Sequence, residues 1–175
     1  MAQAPAEGRR VMDEIDFHAV FTLDAETGRL FWKLPPKNHA EKAGMEAGSL
    51  NVGKGKNGNY WQVRAFGKTF KRSRVVFHMT HGRWPDPAVD HINRDSTDDR
   101  PANLRECTYS QNNANTRDKA RSLALPRGVY ITRQGRYMAR LTNAGATQNL
   151  GTFDTPQLAR SAYEAARKET FREFA

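Results

Sequence analysis

The residues from Ala88 to Arg117, AVDHINRDSTDDRPANLRECTYSQNNANTR, concentrate carboxylates, side-chain amides and a single histidine. Carboxylate and amide oxygens are hard donors suited to a divalent cation such as Mg²⁺. An imidazole near its neutral pKa can take or give a proton. Asp90-His91 closes a short apolar run made by Ala88, Val89 and Ile92. Adjacent residues on a strand point to opposite faces, so Asp90 and His91 cannot do the same job. One of them can hold a metal while the other addresses a substrate from a different side. A polar loop of about ten residues should follow, then a second strand opened by Asn103-Leu104-Arg105, then a helix beginning near Gln111 with Ser110 as its N-cap.

The rest of the chain says what such a centre would act on. With 28 Lys and Arg against 19 Asp and Glu, the 175 residues carry a formal charge of +9 and a pI of about 10.0. Residues 51–88 hold 8 basic and 1 acidic side chain, net +7, and residues 126–175 hold 8 and 4, net +4. Residues 89–125 between them balance at 6 and 6. Two basic blocks around a neutral stretch of Asp, His and Asn fit a grip on a polyanion, nucleic acid being the commonest, around a reaction centre.

Composition also excludes several classes. Cys107 is the only cysteine, which rules out a disulfide framework and a thiolate-rich zinc site. No window approaches roughly 18 consecutive apolar residues, so no membrane span is expected. The opening MAQAPAEGRRVMDE lacks the apolar core of a signal peptide, so the protein is expected to stay in the cytoplasm where it is made. A mean hydropathy of −0.81 argues for small cores rather than one large one.

These residues need a scaffold. Residues 1–16 read as a polar tail. FHAVFTL and LFWKL, separated by Asp24-Ala25-Glu26-Thr27-Gly28, read as strand–turn–strand. Residues 35–59 read as an exposed loop, and 60–66 with 69–72 as a second hairpin turning at Gly67-Lys68. Ser73 is the expected N-cap of a helix through Val75, Val76, Phe77 and Met79, stopped by Gly82. Residues 119–126 form a linker. Three short strands then follow from Arg127, and Thr155-Pro156 opens a last helix as N-cap and first helical residue.

The string DHINRDSTDDRPANLRECTYSQNNANTR resembles the HNH (ββα-metal) nuclease motif, in the branch found in phage and intron-encoded homing endonucleases. That pattern is Asp-His, an Asn 13 residues after the Asp and another 22 after it, and both positions here, Asn103 and Asn112, are Asn. RVVFHMTHGRWP is similar to the helix and turn that lead into the motif, so that the resemblance covers roughly residues 17–118. It implies that Asp90 and Asn112 ligate one divalent cation, Mg²⁺ or alternatively Mn²⁺, that His91 is the general base, and that Asn103 pins the loop and so orients His91. A one-carboxylate, one-amide site is weakly anionic, so the metal would bind firmly only once a DNA phosphate completes its shell. No structural zinc is expected: His78 and His81 lie at i, i+3, but no second ligand pair accompanies them.

Residues 127–174 resemble an AP2 domain, through Arg127-Gly128-Val129, Leu150-Gly151-Thr152-Phe153-Asp154 and an Ala-rich helix with Ala162-Tyr163. The resemblance implies a three-stranded antiparallel sheet, backed by one helix, docked in the major groove. Period-2 alternation puts Tyr137, Ala139 and Leu141 toward the helix and Arg136, Met138, Arg140 and Thr142 on the opposite face. The fold class expected is thus α+β: an HNH nuclease domain over 17–118 with preceding β-hairpins, and an AP2-like domain over 127–175. Candidate DNA contacts are Arg64, Lys68, Lys71, Arg72, Arg74, Arg105, Arg117, Arg127, Arg133, Arg136 and Arg140. The partner expected is double-stranded DNA, with a monomer favoured and no membrane. Two rival readings are a catalytically inactive DNA-binding regulator and a phage packaging or defence nuclease.

Overall fold

A computed structural model describes residues 15–53, 58–116 and 125–175. The chain divides into two compact units, Met1–Cys107 and Thr108–Ala175. The expected polar tail falls almost wholly outside the described residues, as do most of the linker and Arg117.

The first unit opens with one helical turn, α1 (Phe17–Val20), capped by the Asp16 carboxylate. FHAVFTL was expected as strand throughout; only its second half is, because Phe17 turns inward to full burial before the hairpin starts. The hairpin pairs β1 (Phe21–Asp24) with β2 (Arg29–Trp32). Asp24 accepts from the amides of Glu26 and Thr27 and from the Thr27 hydroxyl, which closes its turn. The expected loop 35–59 contains a strand, β3 (Ser49–Asn51), on the edge of a sheet with β4 (Tyr60–Ala65) and β5 (Lys68–Lys71). Phe66 and Gly67 both take positive φ, +52° and +72°. The tight turn therefore lies one residue before the position expected; two such residues make the turn whose twist matches antiparallel strands.

α2 (Arg72–His81) follows β5 directly and ends on Gly82 in the left-handed region, as its sequence predicts. Ser73 is not its N-cap. The helix starts two residues earlier, with Lys71 in the cap position, and Ser73 is buried in its first turn. β6 (Ala88–His91) and β7 (Leu104–Cys107) form an antiparallel pair joined by the polar loop. One core gathers Phe17, Phe21, Leu30, Val63, Phe70, Val75, Val76, Phe77 and Leu104 from α1, β1, β2, β4, β5, α2 and β7. His78 lies edge-on to Phe17, and His81 stacks on Phe77 with its ring nitrogen 3.0 Å from the Phe77 carbonyl. Both are packing histidines.

The second unit begins with α3 (Tyr109–Ala114). Its N-cap is Thr108, not Ser110: the Thr108 hydroxyl accepts from the Gln111 amide while the Gln111 side chain accepts from the Thr108 amide, a reciprocal capping box. Ser110 is thereby free to reach the β9–β10 turn, donating to Asn143 Oδ1 at 2.8 Å and accepting from the Ala144 amide. β8 (Val129–Ile131), β9 (Tyr137–Asn143) and β10 (Ala146–Phe153) form a sheet in the order β10–β9–β8. α4 (Pro156–Phe171) backs it, with Thr155 as N-cap and Pro156 first, as expected. Ala139 and Leu141 are buried with Val129, Ala159, Tyr163 and Phe171. Gly128 has a φ of +73°, and a Cβ there would stand 2.1 Å from the Tyr163 ring, so only glycine fits the crossing.

Candidate active site

The β6–β7 hairpin places two of the four candidate residues back to back. Strand alternation sets Ala88 and Asp90 on one face and Val89 and His91 on the other. On the first face Asp90, 4% exposed, is paired across the strands with Arg105, whose Nε and a terminal nitrogen each lie 2.9 Å from Asp90 Oδ2. A carboxylate this deep would be costly without a cation beside it. On the opposite face His91 Nε2 lies 2.8 Å from Asp99 Oδ1. Asp99 is 1% exposed, and its other oxygen accepts from Arg72 Nε at 2.8 Å.

Asn103 sits at the base of the loop, in a short 3₁₀ turn (Pro101–Asn103) that delivers the chain into β7. Its amide nitrogen donates to Asn93 Oδ1 and to the Asp98 carbonyl, and its oxygen accepts from the Asn93 amide. This side chain closes the loop on itself. Asp95 and Asp98 tighten it further. Hydrogen bonds from Thr97 hold the Asp95 carboxyl below its usual range, and the Arg100 guanidinium holds that of Asp98 down at about 2. The residue that bonds the His91 ring is nevertheless Asp99, which the sequence reading did not single out. Its only advance signal was the Asp98-Asp99 pair, and nothing in one dimension says which of the two turns inward.

Asn112, the fourth candidate, is half-buried on α3 in the second unit. The capping box fixes where the helix starts and so fixes the phase of Asn112 on it. The carbonyls at the other end of α3 are held by arginines: Arg127 donates to Asn113, Ala114 and Thr116, and Arg167 to Ala114 at 2.8 Å. Asp90 lies in the first unit and Asn112 in the second, and a carboxylate and an amide oxygen are each hard donors of the kind Mg²⁺ or Mn²⁺ takes. Among the described residues no three His, Cys, Asp or Glu side chains gather into a cage.

The candidate DNA contacts divide sharply. Arg64, Lys68 and Lys71 are exposed on the β4–β5 hairpin; in the second unit Arg133 is exposed in the β8–β9 turn, Arg136 just before β9, where it pairs with Asp154 at 2.9 Å, and Arg140 on β9. Four others are engaged within the fold. Arg72 is 3% exposed and bound to Asp99 and Glu46, so it cannot reach a phosphate. Arg74 donates to the Pro85 and Pro87 carbonyls and lies over Trp84. Arg105 is engaged by Asp90, and Arg127 caps α3. In each case a guanidinium with five donors meets a need inside the fold that outcompetes solvent. Tyr130, absent from the candidates, lies exposed beneath the Arg140 guanidinium at 5.9 Å.

A model of the HNH endonuclease family matches residues 70–114, from the end of β5 through α3. No curated protein and no solved structure matches the chain. The matched segment contains Asp90, His91, Asn103 and Asn112, and it runs across the division between the two units. An HNH endonuclease domain points to metal-dependent hydrolysis of nucleic acid. The match is narrower than the 17–118 expected, and the 127–174 sheet lies outside it. Among the described residues no helix is long and apolar enough to cross a membrane.

Proposed function

We propose that the chain is an HNH DNA endonuclease of the homing type, cutting phosphodiester bonds at sites chosen by its second unit. The observation that carries this reading is the β6–β7 hairpin. It sets a buried carboxylate and a histidine on opposite faces of one strand, within the segment that matches the HNH family. Asp90 and Asn112 would hold the cation. When bound, that cation supplies neutralisation of charge on the reacting phosphate and help for the departing 3′ oxygen. His91 takes the proton from the attacking water, and Asn103 holds the loop that carries the His91 partner. Arg105 fixes the Asp90 carboxylate through two contacts to one oxygen. Arg64, Lys68 and Lys71 bind phosphates without regard to sequence. Arg140 on β9, with Arg133 and Arg136 from the turn before it, reads base edges as an AP2-like sheet enters the major groove.

The test is cleavage of supercoiled plasmid in Mg²⁺. His91→Ala should slow cutting by about 10²–10⁴-fold, the usual worth of a general base, with DNA affinity nearly unchanged. Asp90→Ala, Asn112→Ala or EDTA should abolish it. Cutting that persists in chelator would sink the reading. A wild-type chain that binds DNA and leaves it intact in Mg²⁺ would be a DNA-binding regulator instead. A gene lying outside introns and phage intergenic sequence would favour a packaging or defence nuclease over a homing one.

A further inference from the structure

We propose that Asp99 is the positioning residue for His91, fixing the imidazole in the tautomer whose lone pair sits on Nδ1. The proposal deepens the reading of His91 as general base and rests on it. An ion-paired carboxylate only accepts hydrogen bonds. One Asp99 oxygen receives Arg72 Nε at 2.8 Å, and the other faces His91 Nε2 at 2.8 Å. The ring must therefore carry its hydrogen on Nε2, which leaves Nδ1 as the basic atom. The hydrogen bond made by one ring nitrogen dictates what the other can do.

Asp99 is built in rather than merely near. Its partner Arg72 is itself locked, donating to Glu46 Oε1 at 3.1 Å and lying over the Trp61 ring at 4.5 Å. The β1–β2 turn is pressed against the Asp99 backbone: a Cβ on Gly28, which has a φ of +69°, would come within 2.3 Å of the Asp99 carbonyl carbon. One residue earlier, Asn103 Nδ2 holds the Asp98 carbonyl at 2.7 Å. Arg72 on the helix thus fixes the carboxylate, while the turn and the loop fix the backbone that carries it. The adjacent Asp98 turns instead to Arg100 and Asn93.

The direction of these bonds makes one substitution decisive. Arginine can only donate, so an asparagine in place of Asp99 must turn its oxygen to Arg72 and its NH₂ to His91. The ring would then accept at Nε2 and carry its hydrogen on Nδ1. The shape of the site is kept and the lone pair is moved, the same logic by which an Asp→Asn change in a serine-protease triad imposes the wrong tautomer.

The experiment is two-bond ¹⁵N–¹H correlation NMR on the full-length protein without DNA or metal, at a pH where the imidazole is neutral. The His91 signals are identified by their loss in His91→Gln. Wild type should show the Nε2–H tautomer and Asp99→Asn the Nδ1–H tautomer. Asp99→Asn should also slow cleavage by about 10²–10⁴-fold with DNA affinity unchanged. An Nδ1–H tautomer in wild type overturns the proposal even if the variant fails to fold. So does an Asp99→Asn enzyme that cuts at the wild-type rate while His91→Ala is dead. Full activity in His91→Ala would instead end the reading of His91 as base, whatever its tautomer.

Discussion

Arg72 and Arg140 are the same residue type, one in each compact unit, and they do opposite work. Arg72 follows β5 directly and disappears into the first unit, where Asp99, Glu46 and Trp61 use its charge, its donors and its flat face. Arg140 stands exposed on β9 with its guanidinium 5.9 Å from the Tyr130 ring. The +7 block of residues 51–88 therefore overstates what the first unit offers a polyanion, since Arg72 and Arg74 are spent on scaffold. Formal charge counts cations; it does not say which of them a ligand can touch.

That contrast can be broken at its strongest point first. Arg72→Ala would leave Asp99 as a buried charge without its cation, and should destabilise the protein by about 3–5 kcal/mol. Denaturant unfolding measures this, and a loss below about 1 kcal/mol, the ordinary worth of a surface pair, would show that Arg72 is not holding the site together. Arg140→Ala should leave stability unchanged within about 0.5 kcal/mol, as a surface substitution does. If it makes a bidentate base contact, it should cost about 1–3 kcal/mol of discrimination in a competition assay against random DNA. Arg64→Ala sharpens the comparison from the other side. It should weaken binding to all sequences alike and lower the slope of log affinity against log salt by about 1.

The smallest effect is an acid edge within the loop. The Arg100 guanidinium holds Asp98 at about 2 in the folded chain, below its ordinary 3.8. Because the folded pKa is the lower one, the stabilisation is complete above about pH 4 and is lost as pH falls toward 2. Arg100 is more than half exposed, so the step should be shallow. Unfolding curves across that range should show it in wild type and not in Asp98→Asn; parallel curves would remove Asp98 from the account.

The residues able to do chemistry were legible in one dimension, and so was the phase of the strand that carries two of them. Period-2 alternation separates Asp90 from His91 whatever surrounds them, and the Thr155-Pro156 start and Gly82 stop depend on local backbone preferences alone. The same local reasoning also misplaced features. Ser110 and Ser73 are good capping residues, but Thr108 won the first position because Gln111 returns its bond, and α2 begins at Arg72 with Ser73 buried in its first turn.

What only the tertiary structure decided is which partner each charged group finds. Arg72 reaches Asp99 across 27 residues and Arg167 reaches Ala114 across 53. It also decided that α3, read as the last piece of the nuclease motif, shares a compact unit with the C-terminal sheet. A six-residue helix is marginal by itself, and its carbonyls need donors that the neighbouring sequence does not supply. Local sequence determines the conformations a segment prefers. Burial, which makes an unpaired charge or carbonyl costly, selects among distant partners, and only the folded chain brings those partners within reach.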